Sequence, residues 1–209
     1  PVQLNVPRNM FFATSEEEIV VNHGIEKVSP SDEAIANVAD VLSKGTKIVI
    51  LAGGGCMDST SSLQKLAEKL NAPVVTTFGH NDAFDCTHPL HLGPLGYNGS
   101  SSAMDTLTAA DVILAVGTKL RRFTLAKCPI HTEAKVVHVD ANPMSLTHAG
   151  GAYKNERVSI LSDADAFCSK LAESLPGEFD STFDVKALKA KGECVLLELE
   201  RAQLQNGKI

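Results

Sequence analysis

Short, unbroken apolar runs alternating with stretches of helical periodicity constrain this chain's fold more than any other feature. KIVILA at residues 47–52, APVVT at 72–76, DVILAV at 111–116 and KVVHVD at 135–140 are the clearest. The first lacks the polar alternation of a strand with one wet face, as expected of a strand covered on both sides in a parallel sheet. Shorter strands are expected at residues 90–92 and 157–161. Between them lie amphipathic helices: residues 59–70 through Leu63, Leu66, Ala67 and Leu70, residues 100–110, and a helix opened by Ser162 and Asp163 that runs through Ala166, Phe167, Leu171 and Leu175. Strand–helix alternation forces right-handed crossovers. The expected class is therefore α/β: a Rossmann-like, doubly wound parallel sheet of about six strands with helices on both faces.

The first helix is expected to start at Ser29-Pro30-Ser31-Asp32, with Ser29 as cap, Pro30 at the first helical position and Asp32 returning a carboxylate to the free N–H groups. Its buried stripe is Ile35, Val38, Ala39 and Leu42, and Gly45 would end it with a positive φ. Residues 9–28 show no sustained periodicity and read as a linker. The chain begins at Pro1, and residues 1–8 look like an extended strand already under way. Residues 184–205 read as a helix with Val185, Leu188, Val195, Leu199 and Ala202 near one face. Both ends are thus expected to belong to a larger protein. The division this suggests is 1–28 as the end of a preceding domain plus linker, 29–176 as a central domain, and 177–209 as a connector.

A formal net charge of −6 argues against nucleic acid, whose binders carry a clustered basic excess. No apolar run is long enough for a membrane span. Cys56, Cys86, Cys128, Cys168 and Cys194 are scattered without a paired motif, which fits reduced thiols in a cytosol acting as small hydrophobes.

In sheets of this class ligands bind at the carboxyl ends of the strands, so the loops that follow strands are the candidate sites. Gly53, Gly54 and Gly55 follow the KIVILA strand and suit either a phosphate cradle at the next helix or simply a tight strand-to-helix turn. NAD is disfavoured: Asp58 stands where its fingerprint wants a third glycine, and Thr76, Thr77 and Phe78 stand where it wants an acid. Residues 76–91 collect His80, His88, His91, Asp82, Asp85 and Cys86 in an irregular stretch broken by Pro89, a spacing that does not suit a metal. Gly96, Tyr97, Asn98 and Gly99 lead through serines into a helix, an arrangement for a polar ligand or for capping alone. Gly117, Thr118 and Lys119 follow the DVILAV strand, with Arg121 and Arg122 close behind. Three cations in four residues point to an anionic ligand such as a phosphate or sulfonate, with solvated surface charge as the competing account. Asp140, at the end of KVVHVD, is placed to accept ribose hydroxyls or to cap the turn at Asn142-Pro143.

Taken in order, residues 1–8 (PVQLNVPR), 48–55 (IVILAGGG), 72–77 (APVVTT), 88–99 (HPLHLGPLGYNG), 111–117 (DVILAVG) and 135–143 (KVVHVDANP) resemble the central domain of thiamine-diphosphate-dependent enzymes, the group of acetolactate synthase and pyruvate oxidase. His80-Asn81-Asp82 followed by Phe84, and Gly93-Pro94-Leu95-Gly96-Tyr97, look most like its sulfoacetaldehyde acetyltransferase branch. The resemblance covers roughly residues 1–175.

The resemblance implies thiamine diphosphate and magnesium as cofactors of the whole enzyme, and conversion of sulfoacetaldehyde and phosphate to acetyl phosphate and sulfite. It also implies a homodimer or homotetramer, since the family builds its active sites between subunits. The glutamate that activates the cofactor and the Gly-Asp-Gly motif that holds metal and diphosphate belong to other domains of the family, and this chain has no Gly-Asp-Gly. No catalytic residue is therefore expected here. In relatives the central domain binds FAD or an adenine nucleotide through the loops matched by Gly53, Gly54, Gly55, Gly96, Tyr97, Asn98, Gly99, Gly117, Thr118, Lys119 and Asp140. Arg121 and Arg122 replace the acidic residues of the FAD-binding members. The alternatives are a stand-alone nucleotide-binding module of Rossmann-like fold, the central domain of an acetolactate synthase-like enzyme, or a scaffold that keeps only the shape of a site.

Overall fold

The computed structural model describes residues 3–17, 24, 26–97, 99–125, 128, 130–131, 133–147, 155–177, 179 and 181–192. Its centre is a six-stranded sheet in the order β3-β2-β1-β4-β5-β6. The strands are β1 (Ile48–Ala52), β2 (Val74–Thr76), β3 (His91–Pro94), β4 (Val112–Val116), β5 (Lys135–Asp140) and β6 (Arg157–Leu161). Every pairing is parallel, with Ile50 of β1 opposite Val74 on one side and Leu114 on the other. All residues of β1 and β4 are buried, which is why their sequences carry no polar alternation.

The helices are α1 (Asp32–Ser43), α2 (Thr60–Leu70), α3 (Ser101–Ala109), α4 (Pro143–Thr147) and α5 (Ala164–Ser174). Period-two alternation sends Ile48, Ile50, Val112, Leu114, Val137 and Val139 to one face, where α1, α2 and α5 cover them with Val38, Leu42, Leu63, Leu66, Phe167 and Leu171. Val49, Leu51, Val75, Ile113, Ala115 and Val136 face the other way onto Ala103 and Leu107 of α3, with Phe183, Val185 and Leu188 completing that layer. The segment after residue 176 is thus tied to the domain. Phe179 and Thr182 donate backbone N–H groups to the carbonyls of Lys69 and Thr46, and Ser102 donates to the Leu188 carbonyl at 2.7 Å.

Several local expectations need correction. The cap of α1 is Ser31, not Ser29, because the helix starts at Asp32; the Ser31 hydroxyl accepts the Ala34 N–H at 3.1 Å. Asp32 does not turn back to the helix N–H groups but pairs with Lys170 of α5 at 2.7 Å. Gly45 is not in the left-handed region, since α1 closes through Lys44 in an ordinary helical conformation. Glycine is needed at 45 for space: a Cβ there would sit 2.6 Å from Val112 Cγ2. Residues 3–7 carry no sheet pairing, and a 3-10 turn, Arg8–Phe12, follows them. Of the helix expected at 184–205, residues 185–192 are helical and the remainder lies outside the described residues, as does Cys194. Among the described residues no helix is long and apolar enough to cross a membrane.

Candidate functional site

The strand order reverses between β1 and β4, the place where the crossovers diverge to opposite faces and leave a crevice at the carboxyl edge. A cleft of about 660 Å³ lies there. Along the sheet its lining comes from Thr77, Phe78 and His80 after β2, then Gly54 and Gly55 after β1. The loop after β4 adds Gly117, Thr118, Lys119, Arg121, Phe123 and Thr124, and Asp140 ends β5. A second groove of about 530 Å³ shares Lys119, Arg121 and Phe123 and continues past Arg122 to Asn142, Met144 and Ser145.

The glycines after β1 are needed because two backbones interlock. A Cβ on Gly53 would stand 2.3 Å from the Gly117 carbonyl oxygen, and one on Gly55 would stand 2.8 Å from Gly117 Cα. Gly117 itself has φ +60°, a conformation glycine takes without steric cost. Hydrogen bonds fasten the pair: the Gly53 N–H donates to Val116, Gly55 to Gly117 and Gly117 to Val139, at 2.8–2.9 Å. Gly54 makes room for a side chain instead, since a Cβ there would fall 2.8 Å from Cε1 of His80. A 3-10 turn, Gly54–Cys56, then intervenes before α2, so the first turn of that helix does not line the cleft.

Gly96, Tyr97 and Gly99 stand outside the lining, and Asn98 lies outside the described residues. Gly96, at φ +105°, seats the cleft aromatics: a Cβ would meet the Phe123 carbonyl oxygen at 2.9 Å and Phe78 Cβ at 3.0 Å. Ser100 caps α3 by accepting the Ala103 N–H. Asp140 does not cap α4; one of its oxygens accepts the Asn142 N–H at 2.8 Å, while Asn142 accepts the Met144 N–H.

The histidines of residues 76–91 go to separate places. His80 reaches the cleft, and His88 bonds Glu68 of α2 at 3.2 Å and accepts the Leu90 N–H on its other nitrogen. His91 is buried near Phe84 with Nε2 unpaired, and burial holds its pKa below the ordinary value. Among the described residues no three His, Cys, Asp or Glu side chains gather as a metal site. Cys56, Cys128 and Cys168 are buried, whereas Cys86 is exposed; burial pushes the Cys56 thiol up to about 12.

Sequence reasoning missed His138 altogether. It is fully buried on β5, and its Nε2 lies 2.6 Å from the Thr118 carbonyl oxygen, which makes that nitrogen the donor and leaves Nδ1 neutral and unpaired. Burial lowers its pKa. This bond fixes the loop after β4, in which buried Leu120 holds φ +46°, a strained conformation for a branched side chain. The signal was present as the one polar residue inside KVVHVD. Phe78 and Phe123 were also missed as walls, because apolar loop residues resemble ordinary surface scatter.

The family model of the central domain of thiamine pyrophosphate enzymes matches residues 35–171. The sulfoacetaldehyde acetyltransferase of Roseovarius nubinhibens is 38% identical over 188 residues, 87% of this chain and 30% of that protein. The protein of the same name from Castellaniella defragrans is 35% identical over 85% of this chain and 30% of its own length. Acetolactate synthase of Mycobacterium avium is 31% identical over 72% of this chain and 25% of its own. The benzoylformate decarboxylase structure from Polynucleobacter necessarius aligns over 80% of this chain and 32% of that one, with TM-score 0.63 and 20% identity, a likeness of fold. The chain therefore spans about 30% of the length of the curated relatives it matches. With its β1, β4 and β5 motifs in register around a strand-order reversal and its matched segment covering α1 to α5, the chain belongs to the thiamine pyrophosphate enzyme central-domain family.

Proposed function

We propose that this chain is the central domain of a thiamine-diphosphate-dependent acetyltransferase that makes acetyl phosphate and sulfite from sulfoacetaldehyde and phosphate. One observation carries the substrate class: five relatives bearing the sulfoacetaldehyde acetyltransferase name match at 35–38% identity over 79–91% of the chain. Acetolactate synthase matches a shorter stretch at 31%.

The residues present do not fit thiamine diphosphate and magnesium themselves. Magnesium bridging a diphosphate takes one or two carboxylates, and activating the cofactor takes another. Among the described residues the only carboxylate lining the cleft is Asp140, with one oxygen already bonded to a backbone amide. The cofactor's seat is accordingly assigned to other domains, and the role of this one is to brace them and to bind small molecules at its strand ends. A homodimer or homotetramer is the assembly proposed for the whole enzyme.

The test is to assay the product of the encoding gene with sulfoacetaldehyde, phosphate, thiamine diphosphate and Mg²⁺. Sulfite and acetyl phosphate should appear in equal amounts. Acetolactate from pyruvate, with no turnover of sulfoacetaldehyde, would replace this reading with the acetolactate synthase one. The 209-residue chain assayed by itself should release no sulfite.

A further inference from the structure

The fold family carries the expectation of FAD or an adenine nucleotide across the glycine loops at these strand ends. The loop after β1 does not fit one. A pyrophosphate cradle needs free backbone N–H groups and bare backbone at its glycines. Here the N–H groups of Gly53, Gly55, Cys56 and Met57 are all spent on carbonyls of the strand ends and of the loop itself. The space over Gly54 holds the His80 ring.

The polar side chains of the cleft have a definite order along the sheet. His80 stands at the β2 end, Lys119 and Arg121 in the loop after β4, and Asp140 at the β5 end. Among the described residues the side chains of Lys119, Arg121 and Arg122 make neither an ion pair nor a hydrogen bond, although the whole chain carries a net charge of −6. Unpaired cations at one point, a carboxylate beyond them and a glycine loop before them whose space is taken by His80 offer one place for an anionic head. Phe78 and Phe123, 49% and 74% exposed, flank that point with apolar surface suited to a short organic tail.

We propose that this cleft binds a single compact oxyanion, the phosphate or sulfonate head of a small molecule, between Lys119 and Arg121. The site goes beyond the acetyltransferase reading and stands without it, because binding is a property of the 209-residue chain itself. Thermal melts of that chain test it, at ionic strength held constant with chloride, against inorganic phosphate, 2-hydroxyethanesulfonate, ADP and FAD. A Lys119→Ala/Arg121→Ala double variant is melted in parallel; both side chains are exposed, so its fold should persist.

The expected result is a saturable rise in Tm with phosphate, with the sulfonate, or with both, whose half-saturating concentration increases about tenfold or more in the double variant. Whichever anion saturates first identifies the head group. An unsaturable rise of equal size in both proteins is the general stabilisation that excluded anions give any fold, and it overturns the proposal. No response to either anion, or a saturating response to ADP or FAD at lower concentration than to phosphate, overturns it as well.

Discussion

At the scale of single residues, the glycines of the cleft differ in what they are for, and substitution should separate them. Gly53→Ala forces a methyl into the Gly117 carbonyl, backbone against backbone, and should cost on the order of 2–3 kcal/mol, read as a lower urea midpoint at unchanged slope. Gly79→Ala meets nothing within 4 Å and pays only for its φ of +85°, about 1–2 kcal/mol. His138 gives a pH dependence of definite sign. Burial holds its folded pKa below the ordinary value near 6.5, so as pH falls through that value the unfolded chain takes up a proton that the folded chain refuses. Stability should decline from pH 7.5 to 5.5. His138→Gln, which keeps a donor for the Thr118 carbonyl, should flatten that decline, and paired urea titrations at the two pH values measure it. His91, its pKa lowered by its own burial, acts in the same direction, so a shallower decline should remain.

At the scale of elements, one carboxylate joins the start of β1 to the start of β4. Asp111 accepts the Thr46 hydroxyl at 2.7 Å and the Thr46 and Lys47 N–H groups at 2.9 Å. Partial burial raises its pKa, but these bonds outweigh that and hold it below the usual carboxylate value. Its contribution is therefore present above about pH 4 and is lost as pH falls through the folded value. Asp111→Ala should cost about 2 kcal/mol at pH 7 and much less at pH 3, measured by denaturant melts at both. Elements were legible in the sequence wherever periodicity was long. The runs at 47–52, 111–116 and 135–140 became β1, β4 and β5 within a residue or so, since burial on both faces admits little but branched apolar side chains. Caps were read less well. Ser29 and Ser31 carry the same chemistry, and the contacts that surround the start of the helix, Lys170 with Asp32 and with the Pro30 carbonyl, lie 138 and 140 residues distant along the chain.

For the whole molecule, the loops named in advance divide in two. Gly54, Gly55, Gly117, Thr118, Lys119 and Asp140 meet at one cleft because the sheet places β1, β4 and β5 side by side, whereas strand–helix alternation implies a parallel sheet without fixing which strands are neighbours. Gly96 and Gly99 follow β3 at the edge of the sheet, where Gly96 yields to Phe78 and the Phe123 backbone and Gly99 yields to the backbone of Pro94 and Leu95. Nothing local distinguishes a glycine that faces a ligand from one that yields to a neighbouring backbone, so this division was invisible before the fold was known. The same limit hid His80, whose place over Gly54 depends on the path of a loop with little regular structure.

The meeting of Gly55 with Gly117 has a mechanical corollary. With no side chain between them and hydrogen bonds on either side, the two loops cannot slide independently; they shift as one rigid plate or not at all. An anion held by Lys119 and Arg121 would therefore have two side chains to order but no loop backbone to close.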